Sequence, residues 1–167
     1  MFSRRKFIIY STIAASSASI AAGLSVYQWW DTTPETPYIH LNKREAHIIQ
    51  CIAQSTFPSG PQSSIDGKDA QIDRFFDQFL DQLLHQNRTL LKMLIQATDR
   101  ISLPTHRSYF TSLSTEEQQE IIEGLLHSDQ HLIRSAYLSL IAILGMGYSN
   151  HPQIAEKLSV FHRCGYG

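Results

Sequence analysis

The sequence predicts an all-α protein, a small orthogonal bundle of five to six helices after an N-terminal signal or anchor helix. Three observations carry that prediction. Apolar residues recur at helical spacing in successive segments, with Ile72, Phe75, Phe76, Phe79, Leu80, Leu83 and Leu84 the clearest series. Helix start and stop residues separate those segments, and no alternating stretch long enough for a strand interrupts them. No internal repeat is present.

The elements follow in order. Residues 31–40, with Pro34 and Pro37, read as an extended tether. Asn42 is a good helix cap, and Ile48, Ile49, Ile52 and Ala53 keep helical spacing until Phe57-Pro58. A Gly/Pro/Ser-rich loop occupies 59–68. In the next helix the phenylalanines are expected in the core, while Asp69, Asp73, Asp77 and Asp81 step by four along another face and read as solvated. Leu90, Leu91, Leu94 and Ile95 mark a third helix over about 89–101, broken by Pro104. Ser114 and Glu117 form a capping box before Ile121, Ile122, Leu125 and Leu126. From Asp129 to Met146 the chain is apolar almost all round, which predicts the helix that the others wrap. His151-Pro152 opens a last turn carrying Ile154, Leu158 and Phe161. The domain is expected to span 41–167.

The first 30 residues have a separate logic. Ser3-Arg4-Arg5-Lys6-Phe7 precedes a run without charge to Trp30, and the pattern resembles a twin-arginine export signal, read on Arg4, Arg5 and Phe7. The run is long enough to span a bilayer of ~30 Å at ~1.5 Å per residue. Its weakly apolar centre, Ala14 to Ser19, suits a signal, with Gly23 and Ser25 near a cleavage point. Trp29-Trp30 equally suits the aromatic belt of an uncleaved anchor, residues 7–30 then lying in the inner membrane. Both readings leave the remaining chain on the periplasmic side.

Beyond Trp30 the chain carries 11 of its 14 Lys+Arg against all 15 Asp+Glu, a net charge of −4. No basic stripe accompanies it, so nucleic acid is not an expected partner. Cys51 sits in a helical pattern as a buried small residue, while Cys164, in the Gly/Tyr-rich tail, is open to pairing with another chain. No haem-attachment motif, glycine-rich phosphate loop or nucleophile elbow is found. His47, Cys51, His127 and His131 are the residues a stand-alone helical metal-binding protein would use, and an anchored scaffold is a further alternative.

Residues along the whole domain then point to a family. Leu41, Glu45-Ala46 and Phe57-Pro58 come first, followed by Phe110-x-x-Leu113-Ser114-x-Glu116-Glu117 and His127-Ser128. Arg134-x-Ala136-Tyr137 and Met146-Gly147-Tyr148-x-x-His151-Pro152 complete the set. Over residues 41–161 the chain resembles gluconate 2-dehydrogenase subunit 3, the small subunit of membrane-associated flavin dehydrogenases. The resemblance implies no catalytic residue and no cofactor in this chain. It implies a large flavoprotein subunit of the glucose–methanol–choline type holding FAD, and often a cytochrome c subunit holding haem c. The small subunit is expected to assist folding or assembly and to present the export signal to the twin-arginine translocase. Tyr148, His151, Phe161 and Cys164 are the expected contacts with the large subunit. The tail Arg163-Cys164-Gly165-Tyr166-Gly167 departs from the Gly-Tyr-x-Gly-Pro-like ending of such subunits.

Overall fold

The computed structural model describes residues 34–60 and 65–161. Among them lie seven α-helices and one 3-10 turn: α1 (Lys43–Thr56), α2 (Ile72–Asp81), α3 (His85–Ile101), α4 (Leu103–His106), the turn Phe110–Ser112, α5 (Thr115–Leu126), α6 (His131–Ser149) and α7 (Pro152–Phe161). No described residue is in a β-strand, and the all-α expectation holds.

α1 begins where its sequence says it should. Asn42 accepts from the Glu45 backbone N–H at 2.8 Å, and Glu45 Oε2 accepts from the Asn42 N–H at 3.1 Å, a reciprocal cap. Ile48, Ile49, Ile52 and Ala53 are fully or almost fully buried. They meet α2, α3, α5 and the 3-10 turn, which makes α1 the central helix. At its end Gly67 lies so close that a Cβ would stand 2.1 Å from the Ala53 carbonyl oxygen. Only glycine lets the loop cross there.

α2 departs from its sequence pattern in two ways. It stops at Asp81, so Leu83 and Leu84 lie beyond it, and Leu84 is 76% exposed. The stop has a partner: Arg88 donates through Nε to the Leu80 carbonyl at 3.0 Å and through Nη2 to that of Leu83 at 3.3 Å. More important, the aspartate ladder is not a solvated face. Asp69 and Asp81 are exposed as expected, but Asp73 and Asp77 are buried. Asp77 accepts from three consecutive backbone N–H groups, those of Ile39 (2.8 Å), His40 (2.8 Å) and Leu41 (3.0 Å). Asp73 accepts from the Tyr38 hydroxyl at 2.5 Å and from Gln50 Nε2 at 3.1 Å. The end of the expected tether is therefore docked on α2, where the aspartates satisfy a backbone that forms neither helix nor strand.

α3 starts at His85, earlier than its apolar series suggests, and Leu90 is 64% exposed while Ile95 is buried. Its inner face is partly polar. Lys92 Nζ lies 3.1 Å from Glu45 Oε2 and donates to the His40 carbonyl at 2.6 Å. Asp99 accepts from Arg44 Nη2 at 2.8 Å and from Thr111 Oγ1 at 3.0 Å. Both buried charges are thus paired and further hydrogen-bonded, the condition under which such groups persist inside a fold. Pro104 falls within the short α4 after a turn at Ser102. The Ser114–Glu117 capping box is formed at the head of α5.

α6 is not the wrapped helix its composition predicts. It is long and apolar enough to cross a membrane, yet 22% of its apolar window is buried. Tyr137, Leu140, Leu144 and Gly147 face inward. Leu132, Leu138 and Met146 face outward, 82%, 53% and 51% exposed. It packs most against α2, α5 and α7, and its Tyr137 hydroxyl lies 2.9 Å from Thr98 Oγ1 of α3, so it closes one side of the bundle. Gly147 sets the approach to α2, since a Cβ there would stand 2.6 Å from a Phe75 ring carbon.

Candidate functional site

Polar groups able to do chemistry are dispersed. Among the described residues no three His, Cys, Asp or Glu side chains come together as a metal site. His47 Nε2 lies 3.9 Å from Cys51 Sγ, one helical turn apart on α1. Burial pushes the Cys51 thiol above its ordinary pKa, which keeps it protonated and poor as a ligand or nucleophile. His127 uses Nδ1 on the Glu123 carbonyl at 2.9 Å, closing the end of α5. His131 Nδ1 instead lies 3.5 Å from the Ser135 hydroxyl on α6.

The contact candidates separate into different situations. Tyr148 turns inward: its ring stacks on Phe57 with centroids 4.7 Å apart, and its hydroxyl donates to the Ile65 carbonyl at 2.9 Å. It ties the loop after α1 to the end of α6. His151 caps α7 with its backbone, its carbonyl accepting from Ile154 (2.9 Å) and Ala155 (2.8 Å). Its ring Nδ1 is buried without a hydrogen-bond partner among the described residues. Phe161 is the last residue of α7, and its side chain falls outside the description. Arg4, Arg5, Phe7 and Cys164 also lie outside the described residues.

What the structure adds is the outward side of α6. A step of about 100° per residue places positions 131, 132, 135, 138, 139, 142, 146 and 149 on one face about 120° wide. That face carries no Asp, Glu, Lys or Arg. Arg134, the one residue of those types in α6, turns aside and donates to the Ser128 carbonyl at 2.8 Å. Next to the face, Phe75, Ala142, Gly145, Met146, Ser149 and Asn150 line an open groove of about 660 Å³. Sequence reasoning missed this surface because it treated all-round apolarity as a sign of burial. The same pattern also marks a helix with one side packed and the other kept for another molecule.

The family model for gluconate 2-dehydrogenase subunit 3 matches residues 43–165, from the first residue of α1 to beyond the end of α7. No curated protein and no solved structure matches the chain. The match takes in the central helix, the docked aspartates and the outward face of α6, and the chain belongs to the gluconate 2-dehydrogenase subunit 3 family.

Proposed function

We propose that this chain is the noncatalytic small subunit of a periplasmic FAD-dependent dehydrogenase of the glucose–methanol–choline type, acting on a sugar, sugar acid or alcohol. It supplies the export signal and assists assembly of the large subunit. Family membership already makes it a component of a dehydrogenase complex. The observation that carries the finer reading is the juxtaposition in one chain of a paired-arginine leader, Arg4-Arg5-x-Phe7, with that subunit domain.

The physical logic is one of order. FAD is inserted where it is made, so a flavoprotein that works outside must cross already folded. The twin-arginine route carries folded cargo. One leader on the small subunit then serves both chains, provided that they assemble first. In this reading FAD belongs to the large subunit, haem c to a cytochrome subunit where one is present, and this chain holds neither. His151, Phe161 and Cys164 belong to the proposed contact region at the C-terminal end, and Tyr148, held by Phe57 and Ile65, supports that region from within the chain.

Replacing Arg4 and Arg5 together by lysine tests the reading. The expected result is loss of dehydrogenase activity from the periplasmic fraction, with FAD-loaded large subunit retained in the cytoplasm. Export of the large subunit at the wild-type level would refute the shared address.

A further inference from the structure

No exposed residue of α3 or α6 is Asp, Glu, Lys or Arg; α3 shows Leu90, Met93 and Ile101 at 64%, 36% and 38%, and α6 shows Leu132, Leu138 and Met146 more fully. α5 shows Glu116, Glu120 and Glu123 to water. α6 shows a neutral face along its full length of about 28 Å. Its exposed Leu132, Leu138 and Met146, spaced along the face with Ser135, Ser139 and Ala142 between them, together present on the order of 350 Å² of side chain.

Two serine hydroxyls on that face are already engaged within the helix. Ser139 Oγ donates to the Ser135 carbonyl at 2.9 Å, and Ser135 Oγ lies 3.5 Å from His131 Nδ1. Covering the two serines therefore costs less than covering free hydroxyls, while His131 Nε2 and the Ser149 hydroxyl lie at the two ends of the face. Ser135, Ser139 and Ala142 are small, so a helix or ridge can approach closely between Leu132 and Met146. At the Met146 end the face runs into the shallow, open groove beside Phe75.

We propose that the outward face of α6, with the groove beside Phe75, is the docking surface for the large flavoprotein subunit, through an uncharged apolar helix or ridge of that subunit. The proposal rests on the reading under Proposed function. Area argues for a heterologous partner over a second copy. A patch of this size matches the apolar centre of a standard interface, which covers about 800 Å² on each side, and falls short of the larger hydrophobic areas of obligate homodimers. Charge argues against a lipid surface. Helices that lie on membranes carry Lys and Arg flanking the apolar side, whereas the single such residue of α6, Arg134, is held by Ser128.

The test uses the full chain, tagged and expressed with its large subunit in cells that export the complex. Capture is read as FAD per small subunit, with the large chain identified by mass. Leu138→Glu combined with Met146→Glu is expected to lower captured FAD at least tenfold while the thermal unfolding midpoint of the small subunit stays unchanged. Leu90→Glu, on the uncharged outer side of α3, is the comparison and keeps wild-type capture; loss of capture there and not in the α6 variants would move the docking surface to α3 and overturn this one. Should the double variant fail to fold, the exposed single change Ala142→Gln and a photo-crosslinker at position 138 decide instead. Wild-type capture by the folded variants, or crosslinks that never reach the flavoprotein, would overturn the surface. So would sedimentation showing a dimer that the variants dissociate, or flotation with phosphatidylethanolamine–phosphatidylglycerol vesicles that they abolish. If the wild-type chain captures no flavoprotein, the reading under Proposed function falls with it; if only the variants behave as wild type, that reading stands and this surface does not.

Discussion

α2 and α6 invert each other's sequence patterns. In α2 a ladder of aspartates, expected in water, sends Asp73 and Asp77 inside. In α6 an apolar helix, expected at the centre, leaves Leu132, Leu138 and Met146 outside. The two exceptions have different physical grounds. A carboxylate tolerates burial when donors converge on it, and Asp77 has three backbone N–H groups within 3.0 Å. An apolar side chain in water has no such compensation inside the molecule. Burial recovers roughly 25 cal/mol per Å², and for these residues it becomes available only on association. α2 therefore serves the fold of its own chain, and α6, under the docking proposal, is divided between its own fold and a second molecule.

The strongest way to break that contrast is to remove Asp77. Asp77→Ala leaves three backbone N–H groups without their acceptor at a buried site. At about 1–3 kcal/mol for each stranded group, with partial relief from entering water, the loss of stability should be about 3–5 kcal/mol. Urea unfolding of the purified protein measures it. A loss under 1 kcal/mol would mean that residues 39–41 detach freely and that the aspartates of α2 are a solvated face after all.

Gly147→Ala acts where the two helices meet. The added methyl would stand 2.6 Å from the ring of Phe75, so α2 and α6 must separate or the ring must turn. Overpacking of this kind costs about 1–3 kcal/mol. The companion change Phe75→Leu should recover most of that loss by freeing the space. If the pair is no more stable than Gly147→Ala alone, the close approach is not what requires glycine.

Most of the architecture was legible along the chain because short-range signals determine it. Asn42 and Ser114 announce two helix starts through their caps, Phe57-Pro58 announces a stop, and the 3.6-residue period of Ile48 to Ala53 selects the buried side of α1. The misreadings share one cause. Whether Asp77 is wet depends on residues 39–41, 36 to 38 positions away, and whether Leu138 is covered depends on how many neighbours α6 has. Neither is written in the local period. The end of α2 was misplaced for a related reason, because Arg88, seven residues beyond Asp81, holds the closing carbonyls. Tyr148 shows the same dependence on distant residues: its partners within the chain, Phe57 and Ile65, lie more than 80 positions away.

A smaller effect sharpens the α2 side through pH. Burial, reinforced by the hydrogen bond to Asp73, pushes the Tyr38 hydroxyl up to about 12. The folded value lies above the ordinary 10, so the phenol's contribution is complete below pH 10 and disappears as pH rises toward 12. Tyr38→Phe should cost about 1 kcal/mol at neutral pH, a typical net hydrogen bond. The difference in stability between the two proteins should then shrink between pH 10 and 12. A difference that stays constant through that window would separate Tyr38 from Asp73 in solution.

The smallest expected effect belongs to α6, and its smallness is what makes it informative. Leu138→Gln exchanges a 53%-exposed leucine for a polar residue of similar length in the middle of the helix. Glutamine is nearly as good a helix former, and a surface change away from caps and cores usually stays within about 0.5 kcal/mol. Urea midpoints of the isolated small subunit should therefore match within that margin. A leucine that supported the fold would lose about 2 kcal/mol or more on such a change, through lost burial and a stranded amide. A large loss would mean that the outward face of α6 is covered within this chain itself, and the division of α6 between its own fold and a partner would no longer be needed.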